Sequence, residues 1–371
     1  MKILYLTNLP APYRVLFFSE LGKLCELTVL YERHSASDRN TKWTVDGEKT
    51  FEEIYLNGRE IGTDNSFTLE AISHIKLHKY DFIVIEMYST YTAMATILYM
   101  KSKNIPFIIS TDGGLIKDES KLKYALKHYL ISSADYWLST GKQATDYLEF
   151  YGANKNRCYI YPFSSVKTEE IVTKPLSSAK KLKYRTLLGI EEKKVVISVG
   201  QFIYRKGYDV LLKAAKELNH NIGFYIIGGQ ALEEYEAFKR NNGLEQVHFV
   251  DFLQKDKLDS YYKAADLFVL PTREDIWGLV VNEAMAYGLP VITTSKCGAG
   301  VEIISNDRFG RIIDNPEDYL ELANAINDIL QNSQFVPELV LEKAKEYSIE
   351  NMAKRTFSIL NELVGAGIWY E

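Results

Sequence analysis

Short apolar runs rich in β-branched and aromatic residues alternate with helical patterns along most of this chain of 371 residues. A strand of a parallel sheet gives such a continuous run because helices cover both faces of the sheet. The alternation occurs in two sets, and each set predicts a doubly wound parallel sheet of the α/β class. The predicted strands are 3–6, 27–31, 82–86, 107–110, 136–138 and 158–161 in the first set, and 195–199, 223–227, 247–250, 267–270 and 291–293 in the second.

The length of the chain predicts two domains of similar size, because a single core rarely grows beyond about 250 to 300 residues. We expect a first domain over residues 1–165 and a second over residues 181–348. Residues 166–180 between them are polar, contain a proline and interrupt the alternation, as an inter-domain linker does. A last helical stretch, 349–371, has no strand after it.

Composition narrows the class of protein. A formal net charge of −5 argues against a nucleic-acid-binding protein, which normally has a basic excess. Three scattered cysteines, Cys25, Cys158 and Cys297, have neither disulfide nor zinc spacing and indicate a reducing compartment. No apolar run reaches a membrane-spanning length. We therefore expect a cytoplasmic protein, with peripheral attachment to the inner face of the plasma membrane left open.

The segment 271–292 carries the strongest functional pattern in the chain. Glu274 and Asp275 end a loop, Gly278 opens an apolar helix, and Glu283 lies in the second turn of that helix. Free N–H groups at such a helix start suit a diphosphate, and carboxylates beside it can accept hydrogen bonds from hydroxyl groups. Taken singly, the carboxylates are better explained as a helix cap at Asp275 and a solvated Glu283. The whole run instead favours a nucleotide-sugar site.

This segment resembles the signature of the retaining glycosyltransferases of family 4, which have the GT-B fold. In that family two acidic residues stand eight positions apart, and the second lies in a stretch that reads Glu-Ala-Met-Ala here, from Glu283 to Ala286. Counting back eight positions from Glu283 reaches Asp275, where the family usually has Glu. The resemblance implies that Glu283 binds the ribose, and that either Asp275 or Glu274 binds the hydroxyls of the donor sugar.

The resemblance also implies an architecture. Two Rossmann-like domains are expected to face a central cleft, the first binding the acceptor and the second the nucleotide-sugar, with the terminal helix crossing back to the first domain. The helix start at Gly278, Leu279 and Val280 would receive the donor diphosphate. Gly229, after one predicted strand, and Leu253, after the next, would lie near the nucleotide.

A second loop of the same half, 200–207, places Arg205 and Lys206 at the start of a helix. Alone, they would be interpreted as a basic pair on a solvated turn; beside the Glu283 signature, they suit a departing diphosphate. The loop is similar to one of the family in which an Arg follows the first Gly and a Lys precedes the second. Lys206 matches that Lys, Gln201 stands where Arg is often found, and Arg205 is expected to supply the missing charge.

The first half contains three further candidates. Arg14 follows a loop with two prolines and could meet an anionic acceptor or the donor diphosphate, or remain exposed at the helix start. Asp112 and Glu86 end consecutive predicted strands, where ligands of open α/β sheets bind. Many relatives carry a His near Asp112, which is expected to bind a sugar hydroxyl or orient the acceptor hydroxyl, unless it only forms an Asp-Gly turn. Glu86 is a lesser candidate for acceptor binding.

The stretch 117–130 mixes lysines with leucines and tyrosines at helical spacing. Such a basic amphipathic segment could rest on an anionic membrane that holds a lipid-linked acceptor. The alternative is a solvated helix face over the first sheet.

Together these patterns and the resemblance predict a retaining glycosyltransferase. It would move a hexose or N-acetylhexosamine from a nucleoside-diphosphate sugar, with UDP as the nucleotide that the resemblance implies, to a hydroxyl of a glycan or of a lipid-linked acceptor such as one linked to polyprenyl diphosphate. Cell-surface polysaccharide synthesis, such as capsule or exopolysaccharide, is the expected role. Lys206, Arg205, Asp275 and Asp112 are the expected catalytic group, without a metal ion or other cofactor. The alternatives are a non-catalytic sugar-nucleotide-binding subunit and a GT-B UDP-N-acetylhexosamine epimerase.

Overall fold

The computed structural model of the protein describes residues 1–34, 49–62, 65–304, 306–332 and 335–365. The chain forms two compact units. The first comprises Met1–Ser165 together with the chain from Ser348 onward, and the second comprises Val166–Tyr347. Of the last helical stretch expected from the sequence, residues 366–371 lie outside the described part.

The first unit is built on a seven-stranded parallel sheet. Its strands are β1 (Lys2–Thr7), β2 (Glu26–Tyr31), β3 (Glu52–Tyr55), β6 (Phe82–Ile85), β7 (Ile108–Thr111), β8 (Tyr136–Ser139) and β9 (Cys158–Ile160). They lie in the order β3-β2-β1-β6-β7-β8-β9. A separate antiparallel pair is formed by β4 (Arg59–Ile61) and β5 (Asn65–Phe67). The sequence missed β3, because an edge strand that is half exposed lacks the continuous apolar run of a buried one.

Helices follow most of these strands. They are α1 (Pro12–Gly22), α2 (Glu70–Leu77), α3 (Tyr91–Ser102), α4 (Lys121–Ile131) and α5 (Lys142–Phe150). The last helix of the chain, α14 (Ile349–Gly365), belongs to this unit and packs against α1. Its buried residues recur on one face, among them Met352, Ile359 and Leu363, which explains why it stays attached.

The second unit has a six-stranded parallel sheet. Its strands are β10 (Lys194–Val199), β11 (Ile222–Ile227), β12 (Val247–Val250), β13 (Leu267–Leu270), β14 (Val291–Thr294) and β15 (Gly310–Ile313). They lie in the order β12-β11-β10-β13-β14-β15. The sequence missed β15, whose short run contains a glycine and an arginine. The prediction of two parallel α/β sheets is confirmed.

The helices of the second unit alternate with its strands. They are α6 (Ser178–Leu188), α7 (Tyr208–Lys216), α8 (Glu233–Asn242), α9 (Lys255–Ala264), α10 (Leu279–Ala286), α11 (Gly298–Ile303), α12 (Tyr319–Asn332) and α13 (Pro337–Glu346). Residues 166–180, expected to be linker, are counted with this unit, and the last three of them already belong to α6. The N–H group of Val172 donates to the carbonyl oxygen of Ala286 at 3.0 Å, so this segment lies against the end of α10.

Each sheet reverses its strand order once, between β1 and β6 in the first unit and between β10 and β13 in the second. At such a point the loops that leave two neighbouring strands diverge to opposite faces and open a crevice at the carboxyl ends of the strands. The candidate side chains should therefore follow these four strands. None of the helices within the described ranges combines the length and the apolar composition that a membrane span requires.

Candidate functional site

The loop after β10 is held against the loop after β13 by a close backbone contact. The loop ends in a single 3₁₀ turn, Tyr204–Lys206, followed by Gly207 with a φ of 71°. A Cβ atom at Gly207 would lie 1.9 Å from the carbonyl oxygen of Pro271. Only glycine adopts this backbone conformation without strain and leaves room for that contact. The result is that Lys206 is directed toward the residues after β13.

Lys206 and Asp275 form a nearly buried ion pair. The Nζ of Lys206 donates to Oδ2 of Asp275 at 2.5 Å, and the two side chains are only 11% and 14% exposed. Arg205 is more exposed; its Nη1 lies 3.9 Å from Oδ1 of Asp275 and donates to the carbonyl oxygen of Glu274 at 3.1 Å. Removing one member would leave a charge in a poorly solvated place, so the pair is sensitive to substitution of either residue.

The side chain of Arg273 connects the loop after β10 to the loop after β13, although no local sequence pattern identifies this residue. Its guanidinium binds both carboxylate oxygens of Asp209 at 2.7 and 2.8 Å, and it also binds Glu317. Its Nη1 donates to the carbonyl oxygen of Tyr204 at 2.8 Å. Hydrogen bonds with Asp209 and Glu317 raise the pKa of Arg273 above its ordinary value. The 3₁₀ turn that carries Lys206 is thereby fixed to the chain just before Asp275.

The helix after Asp275 has an open start. The N-cap of α10 is Gly278, with a φ of 93°, and no side chain caps the helix. The expected alternative of a cap at Asp275 is therefore wrong, because Asp275 pairs with Lys206 instead. A Cβ at Gly278 would lie 2.8 Å from Sγ of Cys297, so a side chain there would disturb the packing under the turn. Leu279 and Val280, in the first turn, are half-buried.

Glu283 lies on the second turn of α10 and is half-buried rather than simply solvated. Its Oε2 accepts a hydrogen bond from the hydroxyl of Tyr262 at 3.1 Å. Burial and the neighbouring Glu283 raise the pKa of Tyr262 well above its ordinary value, so the phenol remains a donor to the carboxylate. Tyr262 in turn stacks on Tyr287 with ring centroids 5.2 Å apart.

Gly229 and Leu253 follow β11 and β12, which adjoin β10 in the sheet. Gly228, before Gly229, approaches the loop after β10 so closely that a Cβ would lie 1.9 Å from the carbonyl oxygen of Gly200. Gly229 itself faces open space, and Leu253 is half-buried. Both residues therefore lie at the same edge of the sheet as Lys206.

In the first unit, the three predicted residues meet each other. Nη1 of Arg14 lies 3.0 Å from Oε1 of Glu86, and its Nη2 contacts Oδ1 of Asp112. Arg14 and Glu86 are buried, and Asp112 is 30% exposed. The alternative of an exposed Arg14 is wrong, because Phe163 and the two carboxylates enclose its guanidinium.

Burial acts to lower the pKa of Arg14, but the carboxylates of Asp112 and Glu86 outweigh it, so that the pKa lies well above its ordinary value. For Glu86, burial raises the pKa although Arg14 acts in the opposite direction. Arg14 therefore stays charged, and its charge is matched inside the protein.

A further buried acid, Glu32, directly follows β2. It accepts hydrogen bonds from the hydroxyls of Ser66 at 3.0 Å and Thr90 at 2.5 Å. Burial raises its pKa to about 7. No motif in the sequence pointed to Glu32, because its partners are 34 and 58 positions away in the chain.

The basic stretch forms α4, which is exposed over most of its length. Leu122 is 81% exposed and Leu126 48%, and only the end of the helix is buried. The Nζ atoms of Lys123 and Lys127 lie 3.9 and 2.9 Å from Oε2 of Glu119. The helix thus presents leucines, tyrosines and lysines together. Within the described ranges, no group of three or more His, Cys, Asp or Glu side chains is placed to hold a metal ion.

Comparison with known proteins identifies the family that the second unit resembles. Residues 181–354 match the family model of the glycosyl transferases group 1. The matched part of the chain belongs to the group 1 glycosyltransferases, and the chain as a whole has the GT-B fold. It is 28% identical to an uncharacterised glycosyltransferase of Methanocaldococcus jannaschii over 77% of each chain. It is 27% identical to the lipopolysaccharide glucosyltransferase WaaG of Escherichia coli over 54% of each chain.

A solved structure extends the likeness to both units. Anabaena HepE in complex with UDP-glucose superimposes with a TM-score of 0.70, at 17% identity, over 99% of this chain and 100% of that one. At this identity the likeness concerns the fold. The group 1 match itself covers the unit that carries Lys206, Asp275 and Glu283.

Replacement of Gly207 by alanine in this glycosyltransferase should separate its two loops. The new Cβ would collide with the carbonyl oxygen of Pro271, and the left-handed backbone would cost a further ~1–3 kcal/mol. Gly243→Ala is a matched control, because Gly243 has a φ of 61° but no atom lies within 4 Å of the position its Cβ would take. We expect Gly207→Ala to lower the urea midpoint clearly more than Gly243→Ala; equal midpoints would contradict the contact.

Glu32 should make stability depend on pH. Its folded pKa is raised from 4.5 to about 7, so the folded state binds the extra proton between these values and stability falls as pH rises through them. Relative to wild type, Glu32→Gln should gain on the order of 3 kcal/mol between about pH 4.5 and 8, measured by urea unfolding. The exposed Glu52→Gln is the control. Parallel pH curves for wild type and Glu32→Gln would contradict the burial argument.

Proposed function

We propose that this transferase moves a hexose or N-acetylhexosamine from a nucleoside-diphosphate sugar, with UDP as the nucleotide, to a hydroxyl of a glycan or lipid-linked acceptor, with retention of configuration. The observation that carries the proposal is the Lys206–Asp275 pair beside the uncapped start of α10, at the reversal point of the second sheet. Anabaena HepE, of the same fold, was solved with UDP-glucose. A role in cell-surface polysaccharide synthesis, such as capsule or exopolysaccharide, is supported by the likeness to a lipopolysaccharide glucosyltransferase.

In this proposal the second unit stabilises the departing diphosphate. Lys206 and Arg205 supply positive charge, and the N–H groups of Leu279 and Val280 supply donors fixed by the helix. Negative charge grows on the diphosphate as the bond between the sugar C1 and the phosphate oxygen breaks. Groups that stabilise this charge in the transition state accelerate the reaction. Such a set makes transfer without a metal ion chemically reasonable.

The transfer itself is a substitution at C1 of the sugar. The acceptor oxygen forms the new bond to C1 on the face that the diphosphate leaves, and the leaving phosphate oxygen takes the acceptor's proton. Glu283 is assigned to the ribose hydroxyls and Asp275 to the hydroxyls of the donor sugar, with Glu274 as the neighbouring alternative. Gly229 and Leu253 are assigned to the nucleotide, which lies along glycine backbone and an apolar side chain.

Calorimetric titration with UDP and with UDP-, GDP- and dTDP-sugars, without metal, checks the donor site. We expect one nucleotide family to bind, and Lys206→Ala and Glu283→Ala each to weaken binding about 10- to 100-fold, because a hydrogen bond to a charged group contributes roughly 1.5–3 kcal/mol. The exposed Lys216→Ala and Glu234→Ala make the same charge changes on the same unit and should bind normally. If the wild type binds no nucleotide, the transferase proposal is contradicted, and a non-catalytic subunit that depends on a partner protein is favoured.

We also propose that α4 rests on an anionic membrane surface where a lipid-linked acceptor is held. The exposed Leu122, Leu126 and Tyr129 would enter the headgroup region, while Lys117 and Lys121 face acidic lipid. A contact with the membrane surface needs apolar and basic side chains that are both exposed. The short helix α4 and the residues just before it provide both.

Sedimentation with phosphatidylglycerol vesicles, compared with phosphatidylcholine vesicles, checks this contact. Leu122→Glu should reduce binding to the acidic vesicles about tenfold, since it removes apolar burial and adds repulsion. Leu187→Glu on α6 changes a leucine that is 73% exposed in the second unit and should have no effect. Equal binding of both variants, or no preference for acidic lipid, would contradict the membrane assignment.

A further inference from the structure

Three charged side chains of the first unit meet where its sheet reverses strand order. Arg14 follows β1, Glu86 follows β6 and Asp112 follows β7, and these three strands are neighbours in the sheet. This is the position where open α/β sheets bind ligands. The cluster therefore lies at a binding edge although two of its three members are buried.

The cluster has no positive charge left for a ligand. Arg14 contributes one positive charge, and Asp112 and Glu86 contribute up to two negative charges, so the sum is 0 with Glu86 protonated or −1 with it ionised. Both terminal nitrogens of Arg14 face these carboxylates, and the ring of Phe163 lies 4.9 Å from the centre of its guanidinium. An anionic acceptor group would therefore meet carboxylate oxygen rather than guanidinium, which argues against the alternative in which Arg14 meets an anion.

Asp112 is the member that a ligand can reach. Its side chain is 30% exposed, and Arg14 contacts only Oδ1. In the part of the chain that the structure covers, Oδ2 makes no hydrogen bond or ion pair. The turn is fixed, because the hydroxyl of Thr140 donates to the backbone oxygen of Asp112 at 3.2 Å and the N–H of Gly113 donates to the hydroxyl of Thr111 at 3.1 Å. An ionised carboxylate accepts hydrogen bonds only, so its partner must be a donor such as a hydroxyl.

We propose that this cluster is a subsite for an uncharged, hydroxyl-rich group, in which Oδ2 of Asp112 accepts a hydrogen bond and Arg14 and Glu86 are positioning residues that set its orientation and charge. The subsite excludes phosphorylated and uronic groups by repulsion. The inference rests on the proposed function in one respect, that the hydroxyl-rich group is a sugar. In that case the group that the first unit binds at this edge is a neutral sugar.

The test uses saturation-transfer NMR on the full chain with the methyl glycosides of glucose, galactose and N-acetylglucosamine, and with methyl glucuronoside and methyl galacturonoside as anionic counterparts. At least one neutral glycoside should bind at least about tenfold more tightly than its uronic counterpart, and Asp112→Ala should abolish that binding. The exposed Glu234→Ala changes the other unit and should leave that binding intact. Equal binding of neutral and uronic probes, or no binding of any probe, would overturn the subsite.

Variants that remove charges from the cluster distinguish a positioning role of Arg14 and Glu86 from a purely structural role. Glu86→Gln with Asp112→Asn leaves the charge of Arg14 unmatched, so the double variant should reverse the preference and bind the uronic probe more tightly. Arg14→Met removes positive charge and should never increase uronic binding. A structural role alone would weaken both probes equally in every variant, and that result would overturn the assignment of Arg14 and Glu86.

Calorimetry with UDP on the same variants distinguishes the two proposals. If UDP binds and the glycoside preference is absent, the subsite fails while the transferase proposal stands. If the glycoside preference is present and UDP does not bind, the transferase proposal fails while the subsite stands. Retained UDP binding in the double variant also shows that the second unit remains folded.

Discussion

The parallel direction of every strand in both large sheets is the constraint on which the remaining structure depends. Parallel strands bring all their carboxyl ends to one edge, and a single reversal of strand order opens that edge between two loops. Lys206 and Asp275 are 69 positions apart in the chain, yet they are in contact because β10 pairs with β13. The hydrogen bonds of Arg273 and the close approach of Gly207 to Pro271 then fix the separation of the two loops.

The two units place a pair of oppositely charged residues after corresponding strands of their sheets, but the surroundings of the two pairs differ. In each, a basic residue follows the first strand and a carboxylate follows the strand across the reversal: Lys206 and Asp275 in one, Arg14 and Glu86 in the other. The pair in the second unit lies beside a helix start that can receive an anion. In the first unit a second carboxylate, Asp112, joins the pair and removes that capacity. The arrangement of the pair is the same in both units, and the additional carboxylate of Asp112 determines how the two sheet edges differ in the ligands they can bind.

The sequence predicted the parallel sheets, their helices and the grouping of Lys206 with Asp275, because buried strands and glycine turns leave local patterns. It did not predict β3 and β15, which are edge strands with polar or glycine residues in short runs. Arg273 and Glu32 were also missed, since their partners are distant in the chain and no local pattern records them. The sequence left open whether Arg14 meets an anion or remains exposed, because it could not show two carboxylates already beside it.

The nearly buried ion pair between Lys206 and Asp275 gives any anion that binds there a competitor, the carboxylate of Asp275. An incoming anion that takes the place of Asp275 at the ammonium group breaks an existing contact, so part of its attraction is offset. A small anion brings nothing to satisfy the released carboxylate, whereas a ligand that carries hydroxyls next to its negative charge can satisfy both groups at once. Under the proposed function, this arrangement would favour a ligand that carries its negative charge and its hydroxyls on the same molecule.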